Sequence, residues 1–357
     1  MNRMFSLAAG FAAALSLMAG PAVTAHAADY NGPKIKFRVA HTTPPGNHIT
    51  LAFEKFKELV EQKSGGKIKV QVFPNAILGS DRVLMEGAQK GSLEMAVSST
   101  PNMANFSPLY QVFDLPYITS PKNQEKLYKA IDSGKLGEYF TKVANDIGLE
   151  PIMYAEYGYR NFVTINRPVS KVEDLAGLKM RTTDSAVEVE VAKILKMNPT
   201  PVAWGETYTA LQQGTVDGEG NTFPHMYGAK HHEVLKYAVT TAHNYGMQVM
   251  MANKVWWDKL PPEAQKVIRE AAAEALAYQR TTLYPKNEAE AREGFIKAGI
   301  KIVDDTDDLI LISQNGILIR IHAADINTQS RYGSGVRVMR LAEGDKVQLV
   351  GFGAFEV

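Results

Sequence analysis

The chain is predicted to be an α/β protein, and three observations point there. Between Tyr154 and Phe223, short stretches of alternating polarity exchange places with stretches whose apolar residues keep helical spacing. Helix-start signals and closing glycines punctuate these stretches, as at Ser185 and Gly214. A chain of 357 residues is also long enough for two domains, each with a sizeable core.

The central stretch opens with a strand over Phe162–Ile165 and a turn at Asn166-Arg167-Pro168. Gly177 precedes a second strand, Leu178–Thr182, apolar at alternate positions. Ser185 with Glu188 three residues on forms a capping box, and Val187, Val191 and Ile194 continue at helical spacing. Val202-Ala203 reads as a short strand and Thr207–Gln213 as a short helix closed by Gly214. In open α/β sheets, ligands gather at the carboxyl ends of strands. Arg181 stands at such an end, Arg160 precedes a strand and Asn221 follows one.

The rest of the chain extends the pattern. Ile35–Ala40 alternates as a strand and ends in the loop His41–Gly46. Ala52, Phe56 and Leu59 stripe the next helix, which stops at Ser64-Gly65-Gly66. Ile68, Val70 and Val72 make a second strand, Ser80 is a candidate N-cap, and Leu93–Val97 is a third strand. A helical stretch runs from Gln124 to Val143, Met247–Met251 reads as a strand, and Ala264, Ile268, Ala271 and Ala275 mark a long helix after Pro261-Pro262.

Composition removes several function classes. Lys plus Arg is 39 and Asp plus Glu is 38, a net charge of +1 that gives no electrostatic footprint for nucleic acid or anionic membrane. Without cysteine, disulfides, thiolate metal sites and cysteine catalysis are excluded. Met1–Ala27 reads as an export signal, with Arg3 in a positive leader, an apolar run over Phe5–Met18, and a cut expected after Ala27 in Ala25-His26-Ala27. The expected location is therefore the periplasm.

The blocks DLAGLKMR, NPTPVAW and ETYTALQQGTVDG, the Asn of GEGN, and earlier FRVAHTTPPG, PNAILGSDR, GSLEMAVSS and FDLPY resemble the solute-binding proteins of TRAP transporters, the DctP family, over about residues 34–305. One departure stands out: the family's VDGQENP is VDGEGNTF here. The resemblance implies a two-lobed periplasmic solute-binding protein fold with an interlobe cleft, hinge strands and a long hinge-spanning helix. The implied division is 1–27 signal peptide, 28–156 first lobe completed by about 247–285, 157–246 second lobe completed by about 286–305, and 306–357 a foreign β-rich tail. The implied function is a receptor for a small organic acid, delivered to TRAP permease membrane subunits, with no cofactor and no metal, and monomeric.

The resemblance assigns Arg181 to a carboxylate of the solute, a role suited to a rigid fork of charge-assisted donors. Arg160, in GYRNF, holds a second group of the solute or the surroundings of Arg181. Asn221 both donates and accepts. Trp204 and Phe223 are candidate pocket walls, and Thr43, Ser99 and Glu86 are placed near the cleft by analogy. His225, His231 and His232 lack metal-ligand spacing and are expected at the surface. The chain contains no GxSxG and no P-loop.

From Asp304 the character changes. Residues 309–347 resemble one blade of the C-terminal region of a gyrase A subunit, and 344–357 part of an HU-type DNA-binding protein, as expected of a fused or misassembled coding sequence or of a natural β-rich extension. Over Leu309–Val357, four Arg and one Lys meet two Asp and two Glu, too little net charge for DNA. Two other functions are carried as alternatives: a periplasmic enzyme on a binding-protein fold, and a DNA-associated fusion protein.

Overall fold

The computed structural model describes residues 30–303 with their side chains and, as backbone alone, three strands between 308 and 352. The expected leader and its cut after Ala27 lie outside the described residues.

The first lobe begins with β1 (Ile35–Ala40), α1 (His48–Lys63), β2 (Ile68–Phe73), α2 (Asp81–Lys90), β3 (Met95–Ser99) and the short α3 (Thr100–Met103). β1 pairs in parallel with both β2 and β3. Asn47 caps α1 through its side chain, which accepts from the Ile49 amide, and the predicted stripe Ala52, Phe56 and Leu59 is buried. A 3-10 turn, Pro108–Asp114, then carries the chain to α4 (Gln124–Asp132) and α5 (Lys135–Asp146), the expected single helical stretch being broken at Ser133-Gly134.

Two long strands depart from the expected pattern. β4 (Leu149–Thr164) has 16 residues and β8 (Tyr237–Asn253) has 17, where Phe162–Ile165 and Met247–Met251 alone were expected. Both are buried on both faces for most of their length, so the two-residue alternation that betrays a half-exposed strand is missing. They pair antiparallel from Leu149↔Asn253 to Thr164↔Tyr237, interrupted by bulges, one of them between Glu156 and Gly158. Gly158 sits there at φ 106, which favours glycine.

Between these strands lie β5 (Lys179–Thr182), α6 (Ala186–Ile194), β6 (Asn198–Pro201), α7 (Trp204–Gln212), β7 (Gly218–Asn221) and α8 (Phe223–Gly228). Val202-Ala203 is not a strand; Ala203 is the N-cap of α7, and the strand precedes it. Ile194 is 51% exposed, so α6 buries Ala192 rather than the whole expected stripe. The chain closes with α9 (Lys254–Asp258), α10 (Pro262–Tyr278), a π-helical turn over Gln279–Leu283, α11 (Tyr284–Lys297) and β9 (Lys301–Val303).

All nine strands form one mixed sheet in the order β2-β1-β3-β8-β4-β7-β5-β6, with β9 added to β8. Helices cover it as two pairs of apolar layers. In the first lobe Phe37, Phe53, Phe56 and Ile268 pack on one face, and Met85, Tyr110, Phe140 and Val249 on the other. In the second, Leu211, Phe223, Met226 and Phe295 form one layer, and Phe162, Leu175, Met180 and Met197 the other. Each such fully buried side chain stabilises the fold by about 1.5–3 kcal/mol. The two halves are sewn together by β4, β8 and the α10–α11 rod. At the rod's π turn, the buried Gln279 amide accepts from the Glu156 backbone N–H at 2.8 Å and donates to the Glu156 carbonyl at 3.1 Å.

Beyond β9, β10 (Asp308–Ser313), β11 (Leu318–His322) and β12 (Val347–Phe352) make a separate antiparallel sheet in the order β11-β10-β12.

Candidate functional site

Two guanidiniums and a small cavity mark the place where the lobes meet. The cavity has a volume of about 40 Å³ and is walled by Asp114, Arg160, Arg181, Thr182, Glu188 and Asn244, with Phe162, Met180 and Val191 among its apolar surfaces. Such a space holds a water or two. Asp114 also links the two lobes directly: Ser185 Oγ donates to Asp114 Oδ2 at 2.5 Å.

Each polar wall is placed by a backbone feature. Arg181 leaves the carboxyl end of β5, and its Nε and Nη2 both donate to the Val202 carbonyl, at 3.0 and 2.9 Å. Its guanidinium carbon lies 5.7 Å from the Trp204 ring centre, a cation–π contact. It makes no ion pair among the described residues. Burial lowers its pKa, opposed by Glu219 and reinforced by Arg160, yet an arginine stays charged throughout. Arg160, on β4, is bound instead. Its Nη2 donates to the Gly220 carbonyl at 2.5 Å, and its Nη1 is 3.2 Å from Glu188 Oε1. Burial opposes its charge, but Glu188, Tyr157 and Asp114 outweigh that and raise its pKa.

Glu188 comes from the N-terminus of α6. Half of the expected capping box is present, since Ser185 Oγ accepts from the Glu188 amide. Glu188 does not reciprocate to Ser185; its Oε2 accepts from the Thr183 amide and hydroxyl at 2.8 and 2.9 Å, which turns the other oxygen toward Arg160. Asp114 ends the 3-10 turn that reaches over from the first lobe, and burial together with Glu188 pushes its pKa up to about 8. Neither residue was singled out from the sequence as a site residue. FDLPY and the capping box read there as fold signals.

A buried polar layer lies behind the arginines. Asn221 Oδ1 accepts from the Tyr157 hydroxyl at 2.7 Å, and its Nδ2 donates to Glu219 Oε2 at 3.2 Å. Glu219 Oε1 contacts His231 Nδ1, and both residues are buried. Burial pushes the Glu219 carboxyl up, but His231 and Arg181 pull it below its ordinary value. Trp204 packs in a tilted arrangement on His225 at 3.9 Å and on His231 at 4.7 Å between ring centres. His225 and His231 are thus interior residues, not surface ones as expected; the aromatic face of Trp204 and the Glu219 carboxylate compensate for taking them out of water. His232 is half-buried against Tyr227. No group of residues able to hold a metal occurs among the described residues.

The remaining candidates divide. Thr43 is fully buried in the loop after β1, with its hydroxyl unpartnered. Ser99 is buried at the end of β3, where its backbone leads into α3. Phe223 packs on Phe295 at 5.0 Å inside the second-lobe core and does not wall the cavity. Glu86 lies on the outer face of α2, spread between Arg82 and Lys90, away from the cavity.

A larger groove of about 790 Å³ runs along the side of α10. Its two arginines are spent: Arg269 on Glu150 and the Pro151 carbonyl, Arg280 on Asp132 and the Tyr154 carbonyl. The small interlobe cavity differs in having an arginine, Arg181, with no carboxylate at ion-pair distance among the described residues.

The sequence profile described as "Bacterial extracellular solute-binding protein, family 7" (DctP) matches residues 39–309. The chain is 30% identical over 270 residues to the 2,3-diketo-L-gulonate-binding periplasmic protein YiaO of Escherichia coli K12, covering 76% of this chain and 81% of that protein. It is 34% identical over 258 residues to the C4-dicarboxylate-binding periplasmic protein DctP of Rhodobacter capsulatus, covering 71% and 75% respectively. The solved sugar-acid-binding protein DctPAm of Advenella mimigardefordensis, in complex with galactonate, superposes with a TM-score of 0.73 at 30% identity, over 76% of this chain and 87% of that one. The profile of the DNA gyrase C-terminal β-propeller matches residues 307–350.

Proposed function

Because the chain belongs to the bacterial extracellular solute-binding proteins of family 7, the DctP type, we propose that it works as an extracytoplasmic receptor whose Arg181 captures the carboxylate of a small organic acid. The observation that carries the reading is Arg181 itself: a buried, charged fork at the meeting of two lobes, held in place by one carbonyl and one indole face. The carboxylate takes the donors that the Val202 carbonyl leaves over. Arg160, Asn221 and Trp204 support that fork from behind and from the side.

The cavity in its present size is too small for a sugar acid or a C4 acid, so uptake requires the lobes to part and close again about β4, β8 and the α10–α11 rod. The division of lobes then falls on β4 near Tyr157. Closing shuts water out and leaves the solute's charge facing fixed donors, which is what tight binding of a small anion demands. No bond is made or broken in this reading. The receptor acts as a monomer in the periplasm after removal of its leader at Ala27, hands its solute to the membrane subunits of a TRAP permease, and engages no nucleic acid through its tail.

Isothermal titration calorimetry of the exported chain against a panel of organic acids tests the reading. Arg181→Ala is expected to cost about 2–5 kcal/mol of binding free energy for every acid that binds, since one partner of a buried charge contact is removed. Unchanged affinity in a folded variant removes Arg181 from the site.

A further inference from the structure

Among the hydrogen bonds that join the two halves, one is made by a side chain that also ends a helix. α1 begins after Asn47, whose Oδ1 accepts from the Ile49 amide at 2.9 Å and so caps the helix. The nitrogen of the same side chain crosses to the second lobe: Asn47 Nδ2 donates to the Pro224 carbonyl of α8 at 3.1 Å. One residue on, the His48 amide donates to Asn287 Oδ1 of α11, also at 3.1 Å. The first amides of a helix have no partner within it. Of the first two in α1, one is satisfied by the cap and the other by a side chain from the far half.

The facing surface fits this contact. Pro224 and Gly228 are four apart in α8 and share one helical face. A methyl group built on Gly228 would stand 3.6 Å from Asn47 Nδ2 and 3.6 Å from Pro44 Cγ, so α8 lies against the α1 cap at a residue without a side chain. Asn47, His48 and Pro224 are buried. α8 belongs to the second-lobe core through Phe223 and Met226. The residue type matters as well. Asn, Asp, Ser and Thr all cap helices well. An ionised Asp has no donor, and a hydroxyl donates and accepts through one atom. Asparagine carries acceptor and donor on separate atoms, so it can cap its own helix and reach another body at once. Neither Asn47 nor Asn287 is among the residues that line the interlobe cavity.

We propose that Asn47 and Asn287 form a clasp that engages when the lobes close and holds them shut without touching the solute. The proposal rests on the receptor reading above and adds positioning residues to it. Parting the lobes breaks both crossing bonds, and closing around a solute restores them. The solute meets the open form, so weakening the clasp speeds its escape and leaves its capture unchanged.

Stopped-flow tryptophan fluorescence on the exported full-length chain, with galactonate, glucuronate, succinate and pyruvate as probes, tests this. Asn47→Ser keeps a capping oxygen but is too short to cross. It is expected to weaken binding about fivefold, the worth of one net hydrogen bond. The loss should lie in the dissociation rate, with association within about twofold of the parent. It should be the same factor for every acid that binds, and the melting temperature of the ligand-free chain should not move. Asn287→Ala is expected to act alike. Asn47→Asp keeps the cap and sets an oxygen against the Pro224 carbonyl, so it should lose more than Asn47→Ser. Asn47→Ala removes the cap too, and should lower the ligand-free melting temperature while weakening binding no further than Asn47→Ser. A merely structural Asn47 would shift melting in all three variants and leave dissociation alone. Unchanged dissociation in folded Asn47→Ser and Asn287→Ala overturns the clasp. So does a factor that differs from acid to acid, which would make Asn47 a contact of the solute; either result leaves the receptor reading intact. A folded parent chain that binds none of the acids overturns both.

Discussion

Arg160 and Arg181 are 3% and 5% exposed and flank the same cavity, yet their surroundings differ. Arg160 is held by the Glu188 carboxylate and the Gly220 carbonyl, so the fold itself neutralises and saturates it. Arg181 is held by one carbonyl and one indole, and its charge is left over. A buried cation with a carboxylate partner is part of the architecture. One without is, in the proposed reading, an open position that a bound anion would complete. The contrast bears on the choice that the sequence left open for Arg160, between a second group of the solute and the surroundings of Arg181.

Mutation can break this contrast. The largest effect expected is on stability: Arg160→Ala strands Glu188 in the interior and is expected to cost about 3–5 kcal/mol of unfolding free energy, measured by urea denaturation without ligand. If Arg160→Ala instead left stability untouched and abolished binding, Arg160 would be the anchor of the solute and Arg181 the structural partner. Arg181→Met is expected to keep the ligand-free stability within about 1 kcal/mol of the parent, or to raise it, because it removes a buried charge with no carboxylate at ion-pair distance. The same variant loses the protection against thermal unfolding that an excess of the solute gives the parent chain. Next comes Gly158→Ala, at φ 106 with the Tyr284 hydroxyl 2.8 Å from where a methyl would stand. Its expected cost is about 1–3 kcal/mol, read from the shift in the unfolding midpoint. Glu86→Gln provides the floor, because Glu86 is a surface residue paired only along its own helix, and neither affinity nor melting temperature is expected to move.

Much of the architecture is legible in the amino-acid order, because half-exposed elements write their period into it. β1 runs over Ile35–Ala40 as expected, α1 buries the expected stripe, and β5 (KMRT) falls within the expected Leu178–Thr182. The long central strands are not legible, because residues buried on both faces of a sheet carry no alternation. The site is legible only in part. Arg181, Arg160, Asn221 and Trp204 are brought together around or just behind the cavity, whereas Phe223 belongs to the core through Phe295, 72 positions along the chain and so beyond any local pattern. Asp114 escaped for the converse reason: its meaning depends on α6, which follows it by about seventy residues, and nothing in FDLPY says which wall it will face. The interior histidines escaped because a histidine's partners, here Glu219 and Trp204, are chosen by the tertiary fold.

The π turn at Gln279–Leu283 has a consequence for how one rod serves two bodies. α10 gives Ala264, Ile268, Ala271 and Ala275 to the first-lobe core, and α11 gives Ala291 and Phe295 to the second. Each helical residue advances the azimuth by roughly 100°, and a wider turn resets that angle without interrupting the rod. The segment is thus a phase adjuster: gaining or losing a single residue within it would leave the rod's length nearly unchanged but rotate one half's contact stripe out of mesh with its socket.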